Sequence, residues 1–559
     1  MPDGRLVAQF AERTRDGFGD GHAAVAAAGA PDRDREVGLA LAPVEGQGEG
    51  EELPREIEEA ARGGLAEDML TDMIQNVPMR MYTADKRCFA EILPSTREFG
   101  WYRRNLFSQP LGETTLRKGL ARYPHVELQL GLELVGLEQD AAGVTAELRD
   151  AEGGVQRMRA QYLVGSDGAR STVREGLLKL PYEGVTHPNK WVVIECEDDP
   201  LDAPYTALHC EPARPHVCLR LPYGLRRWEF MLFPGEDGEQ MLAPDQVQAL
   251  LKGHVPHPER LKIIRARVYT HNSRVAGEFV HGRVCLAGDA AHITPPWIGQ
   301  GLNAGMRDAF NLAWKLAWVV QGRMKPEQLA SYHLERHAHA KAMIDLADMF
   351  GAALSLRSRP LAWLRDRFFL AIQHIPRFRD YVLQMKFKPM PRFSTGVVLN
   401  SGKAWQDERV GRMFIQPLVE VNNGEPQRLD DVLGPRFALL SWRSDALAQA
   451  DEGLKAQLQR LGCAAFVGVR ARSSANEVAQ VLRTAGLSTV VQDMENALHF
   501  WFQQAGVDWV LLRPDRFVAA AGQVGDAPDQ LGRFCEAVLP AAQVLPFGAD
   551  QRAPAAVAA

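Results

Sequence analysis

One stretch gathers residue types suited to a flat, anion-forming ligand: Arg283-Val-Cys-Leu-Ala-Gly-Asp-Ala-Ala-His292, continued by Ile-Thr-Pro-Pro-Trp-Ile-Gly-Gln-Gly-Leu-Asn303. Arg283, Val284, Cys285, Leu286 and Ala287 predict a short strand that stops at Gly288 and Asp289. A glycine at that stop lets backbone approach a ligand with no Cβ in the way, and Asp289 offers a carboxylate acceptor to sugar-like hydroxyls. Pro295 and Pro296 stiffen the loop, whereas Gly299 and Gly301 let it pass close to a flat ring. The helix predicted from Leu302 starts with free N–H groups aimed at whatever the loop holds, and its dipole favours negative charge there. Taken by residue type alone, the run is as readily a strand, a Pro/Gly turn and a buried amphipathic helix.

Two further stretches carry chemistry. In Tyr162-Leu-Val-Gly-Ser-Asp-Gly-Ala-Arg-Ser-Thr-Val-Arg174, Asp167 can accept from backbone N–H groups to fix a turn with Gly168, while Arg170 and Arg174 are phosphate-directed donors. In Phe107-Ser-Gln-Pro-Leu-Gly-Glu-Thr-Thr-Leu-Arg-Lys-Gly-Leu120, Gln109 opens a capped helix. His209, His271 and His292 are candidate bases, although a satisfied structural histidine is the plainer reading of each. Arg226 and Arg227 are candidate partners for an anionic ligand, but adjacent arginines on a strand edge are more often solvated, and we leave them out of the site.

The surrounding chain must position these groups. Its 559 residues are 46% hydrophobic, enough for several packed cores, and Lys+Arg 64 against Asp+Glu 70 lacks the basic excess of a nucleic-acid binder. Seven scattered cysteines without a Cys-x-x-Cys pair read as reduced thiols in a cytoplasm rather than metal ligands or a disulfide framework. No apolar run is long enough to span a membrane. Residues 1–63 show no strand-like apolar run and are left without a fold. Helical spacing begins with Met69, Leu70, Met73 and Ile74; strands are predicted at 126–130, 134–137 and 155–164. Residues 181–270 read as an antiparallel sheet with one covered face. Helices follow from 302 to 352 and from 360 to 370, and Pro389, Pro391 and Gly396 mark a boundary before a separate α/β unit.

The run from Arg283 to Leu316 resembles the second flavin-binding motif of the class A aromatic-ring hydroxylases, FAD-dependent phenol-type monooxygenases. The stretch around Asp167 and Gly168 is similar to the same family's Asp-Gly motif. Blocks such as Arg267-Val-Tyr-Thr-His-Asn272, Lys386-Phe-Lys-Pro-Met-Pro391 and Arg513-Pro-Asp-Arg-Phe-Val-Ala519 resemble the family's hydroxylases of 3-(3-hydroxyphenyl)propionate and 3-hydroxycinnamate. The resemblance covers the chain from about residue 64 to the end. It implies an α/β (α+β) architecture: an FAD-binding Rossmann-like domain in two parts, 64–180 and 276–395, interleaved with a β-sheet substrate domain at 181–275. A thioredoxin-like domain at 396–559 completes it, with lone Cys463 in a packing or dimer role. It implies FAD and NADH as cofactors, a phenolic acid and O2 as substrates, aromatic-acid catabolism, and a homodimer as one arrangement. By resemblance the cofactor is bound by Gln109, Asp167, Gly168, Arg170, Arg283, Val284, Cys285, Leu286, Ala287, Gly288, Asp289, Pro296, Gly299, Gly301, Leu302 and Asn303: Asp289 meets the ribityl chain, residues 299–303 the flavin pyrimidine edge, Gln109 the flavin side chain, and the Asp167–Gly168 turn with the nearby Arg supports FAD and the nicotinamide cofactor's pyrophosphate. Another phenol or a polyketide as substrate stays open.

One expected signature is missing. A strand, Gly-x-Gly-x-x-Gly and a helix should open such a chain, but Gly17-Phe-Gly-Asp-Gly21 and Gly46-Gln-Gly-Glu-Gly50 have the wrong spacing and no flanking apolar strand. A shifted reading frame or misplaced start is the expected origin of residues 1–63, which resequencing the 5′ end of the gene would test. For the chain as written, weak FAD binding or a non-catalytic remnant is the alternative expectation, because no helix N-terminus is supplied for the pyrophosphate.

Overall fold

A computed structural model describes residues 64–388, 390–403, 407–421, 424–442, 444–448, 450–470 and 489–541, together with the backbone of strands Leu6–Phe10 and Ala24–Ala28. The two glycine-rich stretches near the start and the boundary residue Pro389 lie outside the described residues. The first sheet has six strands, in the order Val280–His281, Val284–Leu286, Tyr162–Gly165, Ala24–Ala28, Leu6–Phe10 and Val126–Leu130. Val284–Leu286 runs parallel to Tyr162–Gly165, with Cys285 opposite Val164. Every residue of both strands is buried, which is why their text is unbroken apolar rather than alternating. The expectation of no strand in residues 1–63 is corrected by the two five-residue pieces. They lie between Tyr162–Gly165 and Val126–Leu130, whose edge N–H and C=O groups need partners.

The second sheet has eight strands and is built around two long ones, Tyr182–Glu197 and Lys262–Ala276, which pair antiparallel with Trp191 opposite Tyr269. It also recruits Met79–Tyr82, parallel to Thr206–His209, and Cys88–Ile92 beyond it. The sheet is therefore mixed, and it reaches into residues assigned from sequence to the first domain. Both of its faces are covered, not one. Ile194, Trp228 and Phe230 pack toward helix Pro244–Leu251, while Leu208, Val217 and Leu219 face the opposite way and join Leu354. The helix begun by Met69 ends sooner than its spacing predicts: Ala66–Thr71 is helical, but Met73–Gln75 turns into a strand against Asn105–Phe107, whose ladder hydrogen bonds outweigh local preference.

Helix Gly301–Val320 follows the first sheet, and helix Ala330–Leu354 packs beside it. Beyond them stands a seven-stranded sheet whose centre, Ala438–Trp442, Ala464–Arg470 and Thr489–Asp493, is parallel and is flanked by antiparallel Trp509–Leu512, with Val518–Gly522 at the edge beyond it. A buried ionic cluster ties this unit to the helices. Glu335 accepts from Lys315 Nζ at 2.8 Å, from Arg513 Nη1 and Nη2 at 2.8 Å each, from Asn311 Nδ2 at 2.7 Å and from the Val397 N–H at 2.9 Å. Despite its burial, the cations hold the Glu335 carboxyl down at about 2, while burial lowers Lys315 to about 8. Cys463 packs against the core, and burial pushes its thiol up to about 12, which makes it a poor nucleophile.

Candidate active site

Because Val284–Leu286 and Tyr162–Gly165 are adjacent and parallel, the turns that follow them emerge side by side at their carboxyl ends, where α/β sheets bind ligands. The Ala287 N–H donates to the Gly165 carbonyl at 3.0 Å, so the two motifs share one rim. In the first turn, Asp167 is buried and accepts from Ser171 Oγ at 2.5 Å and the Val173 N–H at 3.0 Å. Burial raises its carboxyl against the pull of those donors. Gly168 has φ +76° with open space around it, and Arg170 is exposed beside it. Arg174 is turned inward instead: it donates to the Ala290 and Ala169 carbonyls at 2.9 and 2.8 Å and lies over the Tyr182 ring. Its phosphate-directed role is thereby replaced by bracing the two turns, helped by Tyr182 Oη donating to the Asp289 carbonyl at 2.8 Å.

The second turn is held by a carboxylate that sequence reasoning missed. Asp308 accepts from the Gly288 N–H at 3.0 Å, His292 Nε2 at 2.6 Å and Arg336 Nε at 2.8 Å. Those neighbours keep its buried carboxyl below the usual range. Gly288 has φ +60°, and a Cβ at Gly305 would lie 3.3 Å from the Gly288 Cα, so the helix start presses close to the turn. Asp289 differs from Asp308 in having no hydrogen bond to its carboxylate among the described residues. Burial and the nearby Asp308 push it up to about 6, with His292 opposing. An acceptor without a donor, beside a glycine with open space, fits a hydroxylated chain such as a ribityl group.

The other predicted residues divide by depth. Arg283 sits at the far end of its strand, roughly 20 Å of extended chain from Asp289, donating to the Ala141 and Gln161 carbonyls. Val284, Cys285 and Leu286 are core, and Ala287 delivers the chain to the turn. Gly299 has φ +58°, and its carbonyl accepts from Asn303 Nδ2 at 3.0 Å, shaping the loop just ahead of Gly301. Leu302 packs with Trp101 and Phe107, anchoring the helix start against the strand that leads into Gln109. Gln109 opens its helix as expected, and its amide donates to Glu113 at 2.9 Å.

Between the loop and the eight-stranded sheet lies a cavity that is partly open to solvent. Trp191, Leu208, Val217 and Leu219 form its apolar sheet wall, and Pro296 and Trp297 of the glycine loop face them. Three polar side chains line it: Thr206, Glu229 and His271, each at most 5% exposed. Thr206 Oγ1 accepts from Arg104, and Glu229 lies 3.9 Å from Arg227. The three candidate histidines separate here. His292 is bonded to Asp308, and His209 stacks between Tyr82 and His216 on the opposite face of the sheet. His271 stacks on Trp191 at 5.5 Å and stands edge-on to Trp297 at 5.9 Å, with no hydrogen bond among the described residues. Burial lowers it to about 3, so it is neutral at ordinary pH. Arg226 does not reach the cavity: its guanidinium donates to the Leu201 and Ala203 carbonyls, and Arg227 is engaged by Glu195.

Comparison with known proteins places these features. Residues 53–347 match a family model described as an FAD binding domain, and residues 411–537 match one described as the HcaD C-terminal domain. The chain is 51% identical over 457 residues to 3-(3-hydroxy-phenyl)propionate/3-hydroxycinnamic acid hydroxylase 2 of Burkholderia vietnamiensis (strain G4 / LMG 22486), covering 82% of this chain and 83% of that protein. It is 41% identical over 502 residues to the Comamonas testosteroni hydroxylase of the same acids, covering 82% and 84%. Among solved structures, the flavin-dependent monooxygenase PieE, in complex with FAD and substrate, superposes with a TM-score of 0.72 at 22% identity, covering 87% of this chain and 91% of that one. Aklavinone-11 hydroxylase, with FAD and aklavinone, gives 0.66 at 22% identity, covering 90% and 92%. These two share the fold. Among the described residues no helix is long and apolar enough to cross a membrane, and no cluster of metal-binding side chains occurs.

Proposed function

The chain belongs to the family of FAD-binding-domain monooxygenases, and from that premise we propose that it hydroxylates 3-(3-hydroxyphenyl)propionate and 3-hydroxycinnamate. The new hydroxyl enters ortho to the existing one and gives the 2,3-dihydroxy product, with NADH and O2 consumed. The observation that carries this reading is the shared rim. Two turns at the carboxyl ends of parallel strands stand beside an aromatic-walled cavity whose second wall is the glycine loop itself.

Bound and reduced by NADH, FAD supplies the activation of O2. The protein's own groups supply position and environment. Asp289 accepts from the ribityl chain, with Gly288 and Ala287 giving backbone access. Gly299, Gly301, Leu302 and Asn303 border the ring, and the N–H groups opening helix Gly301–Val320 favour negative charge on it. Gln109 and the Asp167–Gly168 turn, with Arg170, border the rest of the cofactor. Trp191, Trp297 and the aliphatic wall exclude water around the substrate ring. We assign the chain to the cytoplasm. We assign 64–180 with 276–395 to the cofactor domain, apart from strands Met79–Tyr82 and Cys88–Ile92, which join 181–275 in the substrate sheet; 396–559 is a thioredoxin-like unit, supported by its parallel centre and antiparallel flank. Exposed Leu361, Trp363, Leu364 and Phe368 on helix Arg359–Ile372 support a second copy as partner, which light scattering tests.

The test is the purified full-length chain: an absorbance band near about 450 nm, and NADH consumption matched by dihydroxy product from either acid. Protein that stays colourless and refuses added FAD overturns the reading in favour of a non-catalytic remnant, which the missing Gly-x-Gly-x-x-Gly favours. Product from a different phenol alone would keep the family chemistry and change the substrate.

A further inference from the structure

We propose that His271 receives the ring hydroxyl of the phenolic substrate in the cavity between the eight-stranded sheet and the glycine loop. This rests on the hydroxylase reading above and assigns the residue that orients the substrate within it. Three observations converge. His271 is 5% exposed and lines the cavity, yet neither ring nitrogen is hydrogen-bonded among the described residues. Neither nitrogen is sealed in the core; they reach the cavity, where a ligand that displaces water must supply a hydrogen bond in its place. Its ring is also fixed, stacked parallel to Trp191 within 10° and perpendicular to Trp297.

The chemistry of the lining singles it out. Glu229 has Arg227 at 3.9 Å, and Thr206 is already an acceptor for Arg104. A neutral imidazole has one unprotonated nitrogen, which can accept from a phenol O–H. That acceptance leaves more negative charge on the phenol oxygen and makes the adjacent ring carbons better nucleophiles, in step with oxygen insertion ortho to it. Trp297 follows Pro296 in the loop that leads to Gly299, so a hydroxyl held at His271 keeps the substrate ring beside that loop. A side chain that bonds the hydroxyl also discriminates against ligands lacking it, because such a ligand covers the imidazole without meeting its hydrogen bond.

The experiment compares wild type with His271→Phe and His271→Asn. Binding of 3-(3-hydroxyphenyl)propionate and of 3-phenylpropionate is followed by quenching of Trp191 and Trp297 fluorescence, and product formed per NADH consumed is measured in parallel. Wild type is expected to prefer the hydroxylated acid by about tenfold. His271→Phe should bring that ratio near one while binding 3-phenylpropionate as well as wild type, with NADH consumption uncoupled from product. His271→Asn, which keeps an acceptor, should recover part of the preference. An unchanged preference and coupling in His271→Phe, in a background where wild type makes product, overturns the assignment. Wild type that makes no dihydroxy product from either acid counts against the function proposed above instead, and the binding ratio then judges His271 separately.

Discussion

Glu335 and Arg336 are consecutive on one helix and serve two different buried clusters. Glu335 gathers Lys315, Asn311 and Arg513 and so reaches 178 residues along the chain to the C-terminal unit. Arg336 joins Asp308, which holds His292 and the Gly288 N–H, and so fixes the turn beside Asp289. Every member of both carboxylate centres is buried, so in both an unpaired charge would be expensive and geometry is held tightly. The contrast lies in what each immobilises: one a unit of the fold, the other a single turn at the cofactor rim. Stability and cofactor affinity should therefore separate by mutation, although the two anchors are neighbours.

The sharpest break is Glu335→Gln. It leaves Lys315 and Arg513 buried without their shared anion, and thermal or denaturant unfolding should show a loss of about 3–5 kcal/mol. The FAD dissociation constant of the folded protein should stay close to wild type. Asp308→Asn comes next: it removes the charge facing Arg336 and His292, costing about 2–3 kcal/mol of stability, and it should also weaken FAD binding by about tenfold as the Gly288 turn loosens. Equal effects of both substitutions on FAD binding would erase the distinction between the clusters.

Much of the local structure around the two turns was legible in the sequence because its determinants are local. The strand from Val284, the stop at Gly288 and Asp289 and the helix from about Leu302 depend on an apolar run, two turn residues and helical spacing, all within one stretch. Asp308 was hidden in that same stretch. On a helix face it reads as one acidic residue, and its meaning comes from Arg336 on the next helix. Arg174 was misjudged for a similar reason, since the carbonyl of Ala290 that it serves lies 116 residues away. The eight-stranded sheet was legible as strands, but its second cover and its parallel partner Met79–Tyr82 were not, because periodicity reports which residues alternate and not what packs against them. His271 carried no signal beyond being a histidine, and only the cavity distinguishes it from His209 and His292.

Asp289 separates the two clusters most finely, because it neighbours Asp308 without sharing its donors. Asp289→Asn should raise the FAD dissociation constant by about tenfold while leaving stability at neutral pH unchanged or slightly higher, since the replaced carboxylate has no partner of its own. Its titration gives the smallest effect. The carboxyl is raised from 3.8 to about 6 in the folded chain, so the folded state binds its proton more tightly than the unfolded one. Stability of the FAD-free protein should accordingly decline as pH rises from about 4 to 6, with His292 and Asp308 as the neighbouring charges. FAD affinity should strengthen over the same window, because the ionised carboxylate is the stronger acceptor and neither of its oxygens carries a proton. Subtracting the Asp289→Asn profile removes the other titrating groups. A decline of the same sign and size in Asp289→Asn would show that Asp289 is not its source; Asp308, whose carboxyl is held below the usual range, would give a slope of the opposite sign.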